Sequence, residues 1–65
     1  MYVCKMYANG QPGERKVFQT LLEAERWACR EARVENGVRY TVSIYNVFSE
    51  NVDTSFLQPI KIILE

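Results

Sequence analysis

With 65 residues, 48% of them apolar and 25% charged, the chain has room for one domain with a modest core, and its composition argues against disorder. Eight basic side chains balance eight acidic ones, which weighs against a duplex-binding module, since phosphate contacts dominate such affinity. There is no histidine, so the usual proton carrier of an active site near neutral pH is missing.

Tyr2 to Tyr7 alternates as a strand, with Tyr2, Cys4 and Met6 on one side and Val3, Lys5 and Tyr7 on the other. Hydrophobicity leaves open which set faces inward. The stretch Ala8 to Gly13, ANGQPG, is loop chemistry: Asn-Gly favours a left-handed turn and Pro-Gly a second bend. Glu14 to Phe18 then resumes an extended pattern, completing a hairpin.

Thr20 to Gly37 reads as a helix with both ends written into it. Thr20 and Glu23 form a capping box, in which the hydroxyl takes the N3 amide and the carboxylate reaches back to the cap amide. Asn36-Gly37 is a left-handed stop, so about fifteen residues are expected to be helical. Leu21, Ala24, Ala28 and Ala32 share one stripe, whose alanines suit close approach to a sheet. Leu22 and Cys29 flank the stripe on one side, Trp27 and Val34 on the other, and periodicity does not choose between them. Arg26, Arg30 and Arg33 form a basic ridge on the opposite face.

Val38 to Phe48 is the cleanest strand, with Val38, Tyr40, Val42 and Ile44 expected under the helix and Arg39, Thr41, Ser43 and Tyr45 facing away. Ser49 to Ser55 is a polar connector. Phe56 to Leu64 reads as the last strand, with Ile60, Ile62 and Leu64 on one face and Lys61, Ile63 and Glu65 on the other. Pro59 lacks a ladder donor and confines this strand to an edge or a bulge.

The fold class is therefore α+β: a single mostly antiparallel sheet, β-β-α-β-β, with one helix on one face, and residues 1–65 forming one domain. The expected core is Leu21, Ala24, Ala28, Ala32, Val42, Ile44, Ile60 and Ile62. One helix covers one side of a sheet. The other side, carrying Tyr45, Val47 and Ile63, is expected to serve as a contact, and a two-fold homodimer closes such a patch. Trp27 and Val34 offer a second route if they are the flank left outside the core.

Neither catalysis nor a cofactor is expected. No carboxylate pair forms a recognisable dyad, and Glu31 and Glu35 read as solvating charges paired with neighbours such as Arg30 or Arg39. The glycines of the first loop lack the Lys-Ser/Thr that a phosphate cradle needs, and so small a chain leaves little volume for a pocket. Cys4 and Cys29 lie in no metal-like spacing and read as reduced thiols used as small hydrophobes, with no metal bound. MYVCKMY is not a secretion signal and no apolar run approaches a membrane span, which leads to the expectation of a cytoplasmic protein without membrane contact.

Contact residues are expected among Arg26, Trp27, Arg30, Arg33, Arg39 and Tyr45. Basic and aromatic side chains together suit a protein partner. They also suit a nucleic acid, bound through the arginine ridge or through base stacking on the aromatic sheet face. In plan, a strand, a capped helix headed by Thr-Leu-x-Glu-Ala and a second strand, the chain resembles many short reading frames of bacteriophages and mobile elements. Several of these encode compact, cofactor-free inhibitors of host machinery. That resemblance implies a non-catalytic protein-binding module that occupies a surface of a larger protein. The alternative is a small nucleic-acid-binding module.

Overall fold

In the computed structural model, which describes residues 1–64, the chain runs through β1 (Tyr2–Ala8), β2 (Gln11–Phe18), α1 (Leu21–Glu31), β3 (Arg33–Glu35), β4 (Val38–Asn46), a 3-10 turn (Thr54–Phe56) and β5 (Lys61–Ile63). The strands form one antiparallel sheet in the order β2-β1-β4-β3, with β5 also paired to β4. Along its outer side β4 meets β3 at Val38 to Tyr40 and β5 at Val42 to Ile44. Its inner side pairs with all of β1, Tyr2 opposite Asn46 and Ala8 opposite Tyr40. The α+β class and the helix-on-sheet plan follow from the sequence as read above.

α1 starts where Thr20 places it. The Thr20 hydroxyl accepts from the Glu23 amide at 3.2 Å and donates to the Glu23 carboxylate at 2.9 Å. The carboxylate is thus engaged by the hydroxyl of Thr20 and not by its amide. The C-terminus falls elsewhere than expected. α1 has 11 residues and ends at Ala32, whose N–H caps the Ala28 carbonyl.

Asn36 (φ 52°) and Gly37 (φ 80°) are the two central residues of the β3–β4 hairpin. Two consecutive left-handed residues make the mirror-image turn whose twist matches that of paired strands. The same pair stops a helix equally well, which is why the sequence reading ran the helix through it. What tips the balance is the alternation on both sides of Asn-Gly and the edge of β4, which offers Arg33 to Glu35 backbone partners that a longer helix would forgo. Asn9 (φ 51°) and Gly10 (φ 82°) repeat the device between β1 and β2. Pro12-Gly13 is not a second bend; it lies within β2, where the register with β1 slips between Lys5 and Tyr7.

The core lies between α1 and the sheet. Cys4, Ala24, Trp27, Ala28, Val42 and Ile44 are buried there, with Tyr2, Met6, Phe18, Leu21 and Ile63 packed around them. Tyr2, Cys4 and Met6 are therefore the inward set of β1. Trp27, 5% exposed and with its ring 5.9 Å from that of Phe18, is the buried flank of the helix. Leu22 and Cys29 are exposed, and Val34 lies outside α1 altogether. Complete burial of Val3, Val42 and Ile44 contributes roughly 1.5 to 3 kcal/mol per side chain.

At the C-terminal end the expected facing is reversed. β5 begins only at Lys61 and puts Lys61 and Ile63 on the helix side, opposite Ile44 and Val42. Ile60 and Ile62, expected in the core, are more than half exposed. The alternation was read correctly but its phase was not, because the phase comes from pairing with β4 and not from the strand's own hydrophobicity.

Three substitutions check this arrangement by urea denaturation. Ile44→Ala is expected to cost about 2 to 5 kcal/mol, whereas Ile62→Ala costs less than about 1 kcal/mol. Gly37→Val places a β-branched residue at φ 80° and is expected to lower stability by more than about 1 kcal/mol.

Candidate interaction surface

The six residues expected to make contacts do not converge. Arg26 and Arg30 lie exposed on α1, one turn apart, and form no ion pair among the described residues. Arg33 is not on the ridge: it begins β3, where its guanidinium bonds Glu35 at 2.7 Å, lies 3.6 Å from Glu31 and covers the Tyr40 ring at 4.5 Å. The Glu35 hydrogen bond holds its pKa above the ordinary arginine value. Glu31 and Glu35 thus share Arg33, not Arg30 or Arg39. Trp27 is in the core, and the ridge comes down to two arginines.

Tyr45 is not available on an open face either. The side of the sheet away from α1 carries Val3, Tyr45 and Val47, buried in a second cluster with Met1, Val17 and Val52 around them. Tyr45 is 8% exposed. Burial, with Tyr7 beside it, pushes its phenol pKa up. The cover comes from the chain itself, since the segment after β4 folds back over this end of the sheet and buries Val47 and Thr54. Its anchors are the Val47 N–H donating to the Met1 carbonyl at 2.9 Å and Arg15 donating to the Glu50 carbonyl at 2.5 Å. Asp53 caps the 3-10 turn by accepting from both the amide and the hydroxyl of Ser55, which hold its carboxyl below the ordinary range. The apolar far face expected to close a homodimer is thus largely filled from within, and Ile63 is on the other side.

Arg39 lines a shallow groove at the hairpin end of the far face, with Asn9, Gly10, Val34, Gly37 and Thr41. Its volume, about 470 Å3, exceeds what the sequence suggested. The two Asn-Gly turns form it by lying side by side. Asn9 braces them, accepting from the Arg39 amide at 2.9 Å and donating its own N–H to the Arg39 carbonyl at 2.8 Å. Arg39 is the one ionisable residue in its lining.

A larger feature lies in the C-terminal third. Phe48 is 92% exposed and Phe56 89%, and Leu57, Ile60, Ile62 and Leu64 are exposed with them. The sequence places Phe48 at the end of the Val38 to Phe48 strand and Phe56 to Leu64 in the last strand, with Ile60 and Ile62 in the core. The signal that marks it otherwise is Pro59, which shortens the strand, together with the polar turn residues that break the apolar run before it.

The thiols differ sharply. Cys4 is fully buried, its Sγ 3.7 Å from the Ala24 carbonyl, and burial pushes its pKa from 9.0 up to about 11. Cys29 is exposed and is no core hydrophobe. Among the described residues no cluster of three or more metal-ligating side chains occurs, and no helix is long and apolar enough to cross a membrane.

At pH 8 a thiol reagent is expected to label Cys29 and to leave Cys4 unmodified until the protein unfolds. Because folding raises the Cys4 pKa, its contribution to stability is complete below pH 9 and is lost as pH rises toward about 11. Denaturation midpoints measured across that range should fall more steeply than those of Cys4→Ala. The chain matches no protein family, no curated protein and no solved structure.

Proposed function

We propose that this protein is a non-catalytic binding module that works by occupying a surface of a larger protein, in the manner of small phage or mobile-element inhibitors and adaptors. The observation that carries this reading is the exposure of six large apolar side chains in the C-terminal third, Phe48, Phe56, Leu57, Ile60, Ile62 and Leu64. A small domain has few large apolar side chains to spare, and this many left exposed in one stretch of sequence supports a contact role. Burying both phenylalanines against a partner is worth about 3 to 6 kcal/mol before the costs of association. The site residues on this reading are those of the C-terminal segment, and Arg26, Arg30 and Arg39 lie on other parts of the surface. The groove at the hairpin tips supplies a single ionisable side chain, which supports a role without catalysis.

Nucleic-acid binding is the second reading, favoured by the two unpaired arginines of α1. Two phosphate contacts predict weak binding whose logarithm falls with log salt at a slope near about −2. Cross-linking and recovery from the native host separates the two. A partner protein recovered with the wild type and lost with Phe48→Ser/Phe56→Ser supports the first reading. Recovery unchanged by those substitutions, or micromolar DNA or RNA binding abolished by Arg26→Ala/Arg30→Ala, sinks it.

A further inference from the structure

The two outer edges of the sheet are built differently. β2, one edge, has the devices that prevent strand-on-strand association: Pro12, a register slip, and three successive charges at Glu14, Arg15 and Lys16. On the opposite edge β3 carries Arg33 and Glu35, paired with each other. β5 continues that edge with Lys61, Ile62 and Ile63. Its one charge, Lys61, is turned onto the helix side and held by the Glu25 carboxylate, which raises the Lys61 pKa. Lys61 is therefore withdrawn from the far side of the strand, where Ile62, 55% exposed, lies beside Ser43. An antiparallel ladder leaves every second residue's N–H and C=O pointing outward on an edge strand. β5 is thus an edge with open backbone valences and, among the described residues, no charge of its own on the far side.

We propose that β5 pairs with β5 of a second copy, antiparallel about a two-fold axis at Ile62. The side chains dictate this register. Reversal about Ile62 sets Ile60 against Leu64 of the second copy, and the same contact recurs on the other side of the axis, so one apolar stripe meets its own image. On the helix side Lys61 falls opposite Ile63. A register centred on Lys61 would set two ammonium groups face to face, which is unfavourable for directly opposed strand positions. Pro59 lies beyond the paired segment; the Ile60 N–H is already given to the Ile44 carbonyl at 2.8 Å, so Ile60 contributes its side chain and not its donor. The two sheets join into one continuous sheet, and a two-fold contact of this type closes on itself because each copy has one such edge. The contact involves neither Tyr45 nor Val47, whose face is filled by the chain itself.

Sedimentation equilibrium from about 1 µM to 1 mM tests the pairing, a range that brackets micromolar to millimolar dissociation constants. The apparent mass is expected to rise from 7.6 kDa toward twice that value. Ile62→Lys, which sets two like charges across the axis, should hold the mass at the monomer value while leaving the far-UV spectrum unchanged. Leu64→Lys gives the same readout from a second exposed position if Ile62→Lys fails to fold. Phe48→Lys, outside the strand, should leave the rise intact. A wild type that stays at 7.6 kDa throughout, or a dimer indifferent to both strand substitutions, overturns the pairing. A monomeric wild type that still recovers a partner through Phe48 and Phe56 overturns the self-pairing alone, whereas a strand-dependent dimer that recovers nothing leaves the pairing standing and removes the larger-protein reading.

Discussion

Everything in this fold depends on β4 being buried from both sides. Val42, Ser43, Ile44 and Tyr45 are consecutive buried residues, so the period-two alternation of the strand supplies an interior on each face. On one face Val42 and Ile44 meet Ala24, Trp27 and Ala28 of α1; on the other Tyr45 meets Val3 and Val47. A chain of this length cannot afford a second helix to cover the second face. A loop does it instead, tied down by the Val47 N–H donating to the Met1 carbonyl and by the Arg15 guanidinium donating to the Glu50 carbonyl. The domain is therefore a helix, a sheet and a partial loop cover, with β4 in the middle of each contact.

That double burial explains which parts of the structure were legible in the sequence. The alternation of β1 and β4 and the start of α1 at Thr20 are local statements, fixed by side-chain period and cap chemistry within a few residues. The Asn36-Gly37 pair is local too, but it satisfies a helix stop and a hairpin turn with the same two left-handed residues, so only the pairing of β3 with β4 separates them. The loop cover is not legible because the residues that close it, the partly buried Val52 and the buried Thr54, are scattered through the polar connector and carry no period, while Val47 reads as part of the preceding strand's far face. Of the expected contact residues, Arg33 and Tyr45 were misplaced by these same two errors, one helix end too late and one face taken as bare. Trp27 followed from neither, since the helix flank is chosen by the position of Phe18 on β2.

Charge placement follows a consistent rule once the fold is known. Of the ion pairs among the described residues, Arg33 with Glu31 joins β3 to α1 and Lys61 with Glu25 joins β5 to α1, while Arg33 with Glu35 lies within β3. Exposed pairs of this kind add little to stability. Their effect is on orientation. Arg33 is held over Tyr40, and Lys61 is held on the helix side of β5.

The cost of that segment is the reason to give it a role. The domain is small, and its two clusters close with Ile44, Val42, Trp27 and Tyr45 at their centres and without Phe48, Phe56, Ile60 or Ile62. Had these four served stability alone, selection for folding would favour their burial or their replacement by polar residues, since each exposed side chain leaves roughly 1.5 to 3 kcal/mol of transfer free energy unused. Their exposure also leaves the unbound protein open to non-specific association. On the function proposed above, such a surface is retained because a partner buries it. Phe48 and Phe56 lie outside β5, while Ile60 and Ile62 belong to it or border it. A strand contact with a second copy would cover the latter pair and leave the two phenylalanines free for another protein.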